Sequence, residues 1–416
     1  MSLAKPSLEM LRALTDENVL RALMEEGRLT RAEIAARTGI SKPTVSDSVR
    51  RLSEAGLLAD TGERTTGRGR VGTYYSLAAD TGAALVASIG PDGVVAETVD
   101  AFGTATARAE VGLGRAPGPH ATARALTEAV ALVRPRTHGR LRTAVISAAD
   151  PVDRATGRLV HLPDAPFLVG DLDPAEVLAG SVDGAVLVDN DINWAARAEH
   201  AGGCALGVDD FVYVHLGEGL GCAVVTDAGV RRGHHGLAGE IAHLFTEGPR
   251  GRAMPFTEVF AELGLRRAES TAIDVGALRA AALGDSAAAR RTRGALARAV
   301  GGVLAAAVAL ADPRLIVLGG AWGAEPVIAE AIRAHFAALP RSVPVAAARV
   351  PEPALAGARA RAVEALRTAI ITAPRPQASA WPEAPVACRD GGTGDLPRPP
   401  AGDVEQGTSQ DDGRGP

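Results

Sequence analysis

A set of polar and basic side chains between residues 42 and 51 has the types and spacing needed to contact nucleic acid. They lie in the segment KPTVSDSVRR, where apolar residues at helical spacing leave the polar residues on the opposite face. Hydroxyl, ammonium and guanidinium groups on one helix face can donate hydrogen bonds to DNA phosphates or to base edges in a major groove. The predicted DNA-contacting residues of this helix are Lys42, Thr44, Ser46, Ser48, Arg50 and Arg51, with Asp47 exposed among them.

A second group of basic residues follows in the segment TGERTTGRGRVGTYYSL, residues 61–77. Two short strand-like runs flank a tip rich in glycine and arginine, which is the pattern of a wing beside a recognition helix. Arg64, Arg68 and Arg70 are predicted to lie near the DNA backbone or in the minor groove.

The helix-turn-helix that must position these side chains has recognisable start and stop signals. Thr30 and Glu33 form a Thr-x-x-Glu capping box that opens a short helix. Gly39 then ends that helix at a tight turn. Ser41 can cap the next helix, and Pro43 is tolerated in its first turn because no intrahelical donor is needed there. An ordinary helical hairpin is the alternative, but caps, turn glycine, apolar spacing and basic wing all agree with a DNA-binding unit.

The apolar spacing also predicts a three-helix core. An amphipathic stretch from Asn18 to Glu26 supplies the first helix. The residues expected in this core are Val19, Leu20, Leu23, Met24, Ile34, Ile40, Val45, Val49 and Leu52.

Composition limits the classes of protein that fit. The chain has 416 residues and a formal net charge of −5, so affinity for DNA must come from local basic residues and not from overall charge. No apolar run approaches the roughly 20 residues of a membrane span and no signal peptide is evident, which predicts a cytoplasmic protein without a membrane partner. The three cysteines, Cys204, Cys222 and Cys388, are widely separated and predict neither a disulfide framework nor a thiolate metal site.

The chain divides into three parts. Residues 1–80 form the predicted winged helix-turn-helix domain, and residues 81–372 alternate strand-like and helix-like segments. Residues 373–416 are rich in Pro, Gly and Asp and cannot bury enough apolar surface to offset the entropy of ordering, so we predict a disordered tail.

The middle part has the pattern of an α/β fold. Its apolar, β-branched runs ALVASIG, TAVISAA, AVLVDND, FVYVHLGEGLGCAVV and RLIVLGG end in Gly, Asp or small residues. Helical stretches such as Ala121–Leu132 and Ala295–Ala311 lie between or after them. Strands that end in glycine turns suit a phosphate- or sugar-binding edge. One loop such as LGEGLG is weak support, since glycines also serve plain hairpins, but several in one order are stronger.

Over residues 15–372 the chain resembles the ROK family, which combines repressors, open reading frames and sugar kinases. The segments that carry the resemblance are VDNDINWAARAE (188–199), HLGEGLGCAVV (215–225), GVRRGHHGLAGEIAHL (229–244) and VLGG (317–320). The resemblance implies the fold class: an N-terminal winged helix-turn-helix followed by a two-lobed, actin-like (ribonuclease H-like) α/β sugar kinase fold.

The resemblance also implies a sugar in the cleft between the lobes, with contacts from Asn190, Asp191, Glu240, His243 and Glu258. Carboxylates and an imidazole can accept from and donate to hexose hydroxyls at fixed angles. On a helix, Glu240 and His243 would share one face. In the family's kinases the aspartate at the position of Asp191 is the general base. Singly, Asp191 could instead cap a helix, and Glu240 with His243 could be a surface pair.

Two phosphate loops depart from the kinase pattern. Family kinases begin the first loop with Asp-x-Gly, where this chain has Ser88-Ile89-Gly90, and Glu218 replaces the threonine of a Gly-Thr-Gly loop. Two like charges about 4 Å apart repel by about 4 kcal/mol at an effective dielectric near 20, which disfavours a phosphate beside Glu218. Loss of the aspartate at Ser88 also weakens Mg²⁺ binding. We therefore predict no kinase activity and no catalytic residue.

The zinc site that the resemblance would imply is also missing. Family members commonly place a histidine and a Cys-x-Cys-Gly-x-x-Gly-Cys run before the last sugar glutamate. Here His243 is followed by TEGPRGRAMPFTE, which contains no cysteine. Structural zinc needs four ligands, usually thiolates and imidazoles, so neither a metal nor a cofactor is predicted.

These observations together predict a sugar-responsive transcriptional regulator, most simply a repressor of carbohydrate genes. Its predicted partners are double-stranded operator DNA, a sugar or sugar-phosphate effector, and a second copy of the chain in a homodimer or a dimer of dimers. Two alternatives stay open. One is an ATP-dependent sugar kinase with a DNA-binding appendage, and the other is a constitutive DNA-binding dimer whose cleft binds nothing.

Overall fold

The structure is a computed structural model that describes residues 7–66, 71–114, 118–162 and 169–373. Arg68, Arg70 and Cys388, together with the tail predicted to be disordered beyond Ala373, lie outside these residues. Cys204 and Cys222 are free thiols.

The chain begins with three helices and a small antiparallel sheet, as the caps and apolar spacing predict. The elements are α1 (Leu8–Glu26), β1 (Leu29–Thr30), α2 (Arg31–Thr38), α3 (Lys42–Glu54), β2 (Leu58–Arg64) and β3 (Thr73–Leu77), with strand order β1-β3-β2. In the capping box, the Thr30 hydroxyl accepts from the Glu33 amide at 3.3 Å, and the Glu33 carboxylate accepts from the Thr30 amide at 2.7 Å. Gly39 follows α2 with φ +70°. This segment is a winged helix-turn-helix.

α1 is longer than the sequence predicts, since it begins at Leu8 and not at Asn18. Ser7 caps it by accepting from the Met10 amide at 3.1 Å. Its first two turns expose Leu8, Leu11 and Leu14, so they show no periodic burial that a core pattern could reveal. Among the predicted core residues, Ile40 is half-buried and the others are buried.

The first lobe of the α/β body is a five-stranded sheet with helices. Its elements are β4 (Ala83–Gly90), β5 (Gly93–Val99), β6 (Ala105–Gly112), α4 (Pro119–Val133), a 3₁₀ turn (Arg134–Arg136), β7 (Leu141–Ala148), α5 (Pro174–Leu178) and β8 (Val186–Asn190). The strand order is β6-β5-β4-β7-β8. β4, β5 and β6 run antiparallel, whereas β4, β7 and β8 run parallel.

The second lobe repeats that arrangement, with strand order β11-β10-β9-β14-β15 and the same sequence of antiparallel and parallel pairs. Its elements are α6 (Asp191–Gly202), β9 (Phe211–Leu216), β10 (Leu220–Thr226), β11 (Gly229–Val230), β12 (Phe245–Glu247), β13 (Ala253–Pro255), α7 (Phe256–Glu262), α8 (Val275–Ala282), α9 (Ala287–Ala311), β14 (Leu315–Gly319), α10 (Pro326–Ala337) and β15 (Val345–Ala347). The last described helix, α11 (Pro353–Thr372), returns to the first lobe and packs against its strands β4 and β7. Two such sheets are the expected two-lobed, ribonuclease H-like fold. The strand-like runs and both helices predicted for this region are confirmed.

Helix α9 is the one described helix that is long and apolar enough to cross a membrane by length and composition. Leu296, Val300, Val303 and Leu304 on this helix are at most 2% exposed and belong to the core of the second lobe. The helix is therefore placed as a core element of an α/β domain.

The winged helix-turn-helix shares a core with the α/β body. One buried cluster joins Leu20, Leu23 and Val49 to Trp194 on α6 and to Leu366 on α11. The described residues form one compact unit. The boundary predicted at residue 80 lies in the turn between β3 and β4, and it stays a prediction.

Candidate functional site

Helix α3 presents a polar face above its buried side. Lys42, Thr44 and Arg50 are exposed and Ser46 is half-buried, while Val45 and Val49 are fully buried beneath them. Ser41 caps the helix by accepting from the Thr44 amide at 3.4 Å. Arg50 pairs with Glu54 at 3.1 Å along the surface. Because exposed ion pairs of this kind are weak, Arg50 can exchange Glu54 for a DNA phosphate.

Ser48 does not lie on this face, which corrects the prediction that it is exposed. It is 0% exposed, and its hydroxyl donates to the Asp16 carboxylate on α1 at 2.5 Å. Arg51 is also drawn towards α1, where it pairs with the same carboxylate at 2.7 Å and keeps 29% of its side chain exposed. Asp16 was not predicted, although it lies three and four residues before Val19 and Leu20 and therefore on their face of the helix.

The wing contributes further basic groups. Arg64 is exposed and pairs with Asp60 at 2.9 Å on the same strand. Arg31, at the start of α2, lies over the Tyr75 ring of β3 and donates to its hydroxyl at 2.8 Å. The contact between Arg31 and Tyr75 holds β3 against the start of α2.

A cleft opens where the parallel strands of the first lobe end, the usual location of ligand sites in α/β sheets. The strand register places Ala148 on β7 opposite Asn190 on β8, so the residues that follow these strands lie side by side. A cavity of about 210 Å³ lies at this edge. It is lined by Ser88, Val95, Asp191, Ala195, His215 and residues 352–355 at the start of α11.

Three carboxyl groups influence one another in this cleft. Burial, with contributions from the charges of Glu240 and Asp150, raises the pKa of Asp191 to about 7. Burial and the Asp150 charge raise the pKa of Glu240 to about 7, although this side chain remains accessible to solvent in the open cleft. Burial raises the pKa of Asp150 to about 6. The structure therefore brings together two predicted residues, Asp191 and Glu240, and adds Asp150.

One oxygen each of Asp150 and Asp191 is buried without a hydrogen-bond partner among the described residues. The other Asp150 oxygen accepts from the Val169 amide at 3.1 Å. A buried acceptor without a donor costs free energy, which a ligand hydroxyl would recover. The sequence signal for Asp150 was its place directly after the strand TAVISAA.

The Asn190 amide is engaged with the backbone. Its oxygen accepts from the Ile192 amide at 3.0 Å and caps α6, while its nitrogen donates to the carbonyls of Ala148 and Asp150 at 3.3 Å each. Asn190 thus joins the Asp150 loop to the start of the helix that carries Asp191, and so fixes the positions of these two carboxyl groups relative to each other.

Two glycines in the loop before Glu240 allow the backbone conformation that brings this residue to the cleft. Gly236 and Gly239 have φ of +85° and +99°, which only glycine adopts readily. A Cβ at Gly236 would collide with the Val152 carbonyl beside Asp150, and a Cβ at Gly239 would collide with the Cys222 carbonyl on β10. The loop can therefore pass close to both elements only without side chains at these positions.

We expect Gly239→Ala to displace Glu240 and to weaken any ligand held by the cleft about tenfold or more, because a positive φ and a backbone collision act together. The measurement is calorimetric titration with the ligand that binds the unchanged protein. Gly112→Ala on β6 is the matched control, since a Cβ there meets nothing within 4 Å. Equal affinities of the two variants would contradict the prediction.

His243 and Glu258 have surroundings different from those expected for a shared helix face. Residues 240–244 are irregular with a turn at 242–243, so the helix on which Glu240 and His243 would share a face is not present there. His243 is exposed. Glu258, in the first turn of α7, pairs with Arg266 at 3.0 Å, and Arg266 also donates to the Thr257 hydroxyl at 2.9 Å.

The two altered phosphate loops have different surroundings. Ser88 lines the cavity beside Asp191 and His215, and burial lowers the pKa of His215 to about 4. The Glu218 carboxylate is paired with Arg267, and its carbonyl accepts from the Ile273 amide at 2.9 Å. Arg267 therefore compensates part of the negative charge that the sequence places in this loop.

The segment between His243 and Glu258 forms the hairpin β12–β13. Ion pairs join it to neighbouring helices, Arg250 to Glu262 and Arg298 to Glu247, both at 2.9 Å. The described residues contain no group of three or more His, Cys, Asp or Glu that could hold a metal ion. The donor set of this hairpin does not fit a thiolate zinc site.

Two family profiles match the chain. The profile of the ROK family matches residues 88–363, and a profile of winged helix-turn-helix DNA-binding domains matches residues 12–59. The xylose repressor of Bacillus subtilis (strain 168) is 22% identical over 229 residues, which are 54% of this chain. The chain spans 59% of the length of that relative.

Solved structures share the fold. A ROK family transcriptional regulator described as a homologue of the E. coli MLC protein superposes with a TM-score of 0.61 at 19% identity, over 87% of this chain and 98% of that one. A ROK hexokinase from Thermus thermophilus superposes with a TM-score of 0.53 at 25% identity, over 69% of this chain and 99% of the hexokinase.

Proposed function

This chain belongs to the ROK family, and on that premise we propose that it is a sugar-responsive DNA-binding transcriptional regulator that represses carbohydrate genes. The observation that carries the proposal is the physical connection between its two candidate sites. Asp191 begins α6, α6 packs against α11, and α11 is bonded to the winged helix-turn-helix.

The contact between α6 and α11 is close. A Cβ at Gly357 of α11 would collide with the Trp194 carbonyl of α6, so the two backbones touch. Further along α11, the Arg367 guanidinium donates to the Met24 carbonyl of α1 at 3.0 Å and to the Ala101 carbonyl at 2.8 Å. A shift of α6 is therefore passed to α1 through packed elements.

The proposed mechanism is linkage between sugar and DNA. Sugar hydroxyls donate to the unpaired oxygens of Asp150 and Asp191, and Glu240 completes the contacts as the lobes close. Closure moves α11 and changes the spacing of two winged helices on a two-fold operator. A difference of about 1–3 kcal/mol in sugar affinity between the two states gives about a 5–150-fold change in DNA affinity.

We assign DNA contacts to Lys42, Thr44, Ser46, Arg50 and Arg64, and dimerisation to residues 81–372. A two-fold operator requires two copies of the chain. The proposal places the protein in the cytoplasm, where operator DNA and sugar are both present. It includes no kinase activity, since Ser88 lacks the carboxylate that supports Mg²⁺ and Glu218 lacks the hydroxyl of a phosphate loop.

A sugar kinase is the second candidate, and one observation favours it: Arg267 compensates the charge of Glu218. The two functions differ in one assay. Sugar-dependent release of ADP from ATP by the purified protein would support the kinase, whereas its absence with every sugar that binds supports the regulator.

Replacing Lys42 or Arg50 by alanine should weaken DNA binding and lower the slope of log affinity against log salt by about 1 each, as expected when one phosphate contact is lost. Fluorescence anisotropy over a salt series measures both quantities. Arg333→Ala is the control, since this exposed residue on α10 pairs with Glu330 along its own helix at 2.7 Å and lies outside the proposed DNA contacts. Unchanged slopes for both α3 variants would contradict the assignment.

The experiment that tests the function is selection of genomic fragments by the purified protein, with and without a pool of sugars. The proposal expects a shared palindrome whose enrichment changes with sugar. A palindrome that no sugar affects would favour a constitutive DNA-binding dimer, and no enrichment would overturn DNA binding.

A further inference from the structure

A second cavity lies against α6, away from the end that carries Asp191. It has a volume of about 220 Å³ and lies between α6, α11 and the strands β10 and β11. The lining residues that carry the argument are Arg197, His200, Val230, Gly357, Arg361 and Glu364. Nothing in the proposed sugar or DNA contacts uses these residues.

Arg197 is the unusual member of this group. Its side chain is half-buried, and its guanidinium lies 5.5 Å from the centre of the Trp194 ring. Within the part of the chain that the structure describes, it makes no ion pair, and its Nε is buried without a hydrogen-bond partner. The Trp194 ring offsets part of the lost hydration, but a half-buried cation without an anion remains costly.

The neighbouring acidic groups compensate this charge only in part, because burial lowers the pKa of Arg197 although the charges of Asp189 and Glu364 act to raise it. The Asp189 carboxylate pairs with Arg232 at 2.5 Å, and Glu364 pairs with Arg361 at 3.0 Å. His200 bonds to Asp209 at 3.2 Å. Each of these acidic groups already has a partner, so the charge of Arg197 remains in excess beside Arg361.

We propose that this cavity binds a small anion that carries a phosphate or carboxylate group, held between Arg197 of α6 and Arg361 of α11. The planar guanidinium fork matches the oxygens of either group. The cavity is smaller than the roughly 300–1,000 Å³ of pockets for drug-sized ligands, which limits the ligand to a few heavy atoms beyond its charged group. The anion bridges the two helices that connect the sugar cleft to the DNA-binding unit.

The test uses the full chain with inorganic phosphate, and with malonate as the carboxylate probe, at ionic strength held constant with chloride. Calorimetric titration and thermal unfolding are measured for the unchanged protein and for Arg197→Gln. Arg333→Gln is the control for nonspecific anion effects. Because the substitution removes an unpaired charge, Arg197→Gln should unfold at the same or a higher temperature than the unchanged protein when no anion is added.

The site predicts that phosphate, malonate or both raise the unfolding temperature of the unchanged protein and of Arg333→Gln. In Arg197→Gln the dissociation constant should rise about tenfold or more, the loss expected for a charge-assisted hydrogen bond. The relative responses to the two probes then identify the preferred anion. The proposal is overturned if Arg197→Gln binds both anions as tightly as the unchanged protein, or if the unchanged protein binds neither at millimolar concentration.

Discussion

Asp16→Ala should lower the free energy of unfolding of the N-terminal helices by about 3 kcal/mol and abolish DNA binding, because it removes a buried charge partner. Asp16 is 3% exposed and holds both the Ser48 hydroxyl and the Arg51 guanidinium. Without it, a buried hydroxyl loses its acceptor and a half-buried cation loses its anion. The polar face of α3 then loses its fixed position on α1.

Glu17→Ala is the matched control one residue away. Glu17 pairs with Arg21 at 2.8 Å on the surface of the same helix, and such pairs contribute only a few tenths of a kcal/mol. Urea unfolding followed by circular dichroism, with DNA binding by anisotropy, compares the two variants. Similar stability and DNA affinity of Asp16→Ala and Glu17→Ala would contradict the role given to Asp16.

Asp191→Asn should raise the dissociation constant of the effector sugar about 10–150-fold and remove the sugar response of DNA binding. An ionised acceptor contributes about 1.5–3 kcal/mol to a hydrogen bond, and the amide cannot replace it. The measurement is calorimetry at pH 8, where Asp191 is ionised. DNA affinity without sugar should be unchanged, because Asp191 does not touch the helix-turn-helix.

Asp183→Asn is the control for that substitution, since this exposed carboxylate pairs weakly with Arg140 at 3.6 Å. A sugar affinity of Asp191→Asn equal to that of Asp183→Asn would remove Asp191 from the binding site. The comparison also separates loss of a specific contact from a general change in charge.

The variant Asp191→Asn also tests whether the pKa of Asp191 is raised in the folded protein. The pKa of Asp191 is about 7 in the fold, above the value of about 3.9 for an exposed aspartate, so the folded chain holds a proton that the unfolded chain has released. This group therefore lowers stability as pH rises from about 4 to about 7. We expect the unfolding temperature of Asp191→Asn to fall less over this range than that of the unchanged protein. Parallel curves would contradict the raised pKa.

Local signals allowed much of the winged helix-turn-helix to be predicted. Thr30, Glu33, Gly39 and Ser41 act within four residues of their own positions, so the sequence alone contains the interaction. Ser48 was misassigned because its environment depends on α1, which lies 32 residues away in the chain at Asp16.

In the cleft, too, the contacts that the sequence did not predict join residues far apart in the chain. The register of β7 and β8 brings the Asp150 loop beside Asp191, and this pairing joins residues about 40 positions apart. The partner of Glu218, Arg267, is 49 residues away, so the charge of the loop was predicted without its compensation. Family resemblance supplied Asp191 and Glu240 because they lie in matching segments, whereas Asp150 required the folded chain.

The most direct measurement is reciprocal linkage between sugar and operator DNA. The affinity of the purified protein for its operator is measured with and without saturating sugar, and its affinity for the sugar is measured with and without saturating operator. Linkage requires that the two factors agree, and the account predicts a common factor between about 5 and 150. A sugar that binds the cleft tightly while leaving DNA affinity unchanged would contradict the claim that the two sites are coupled.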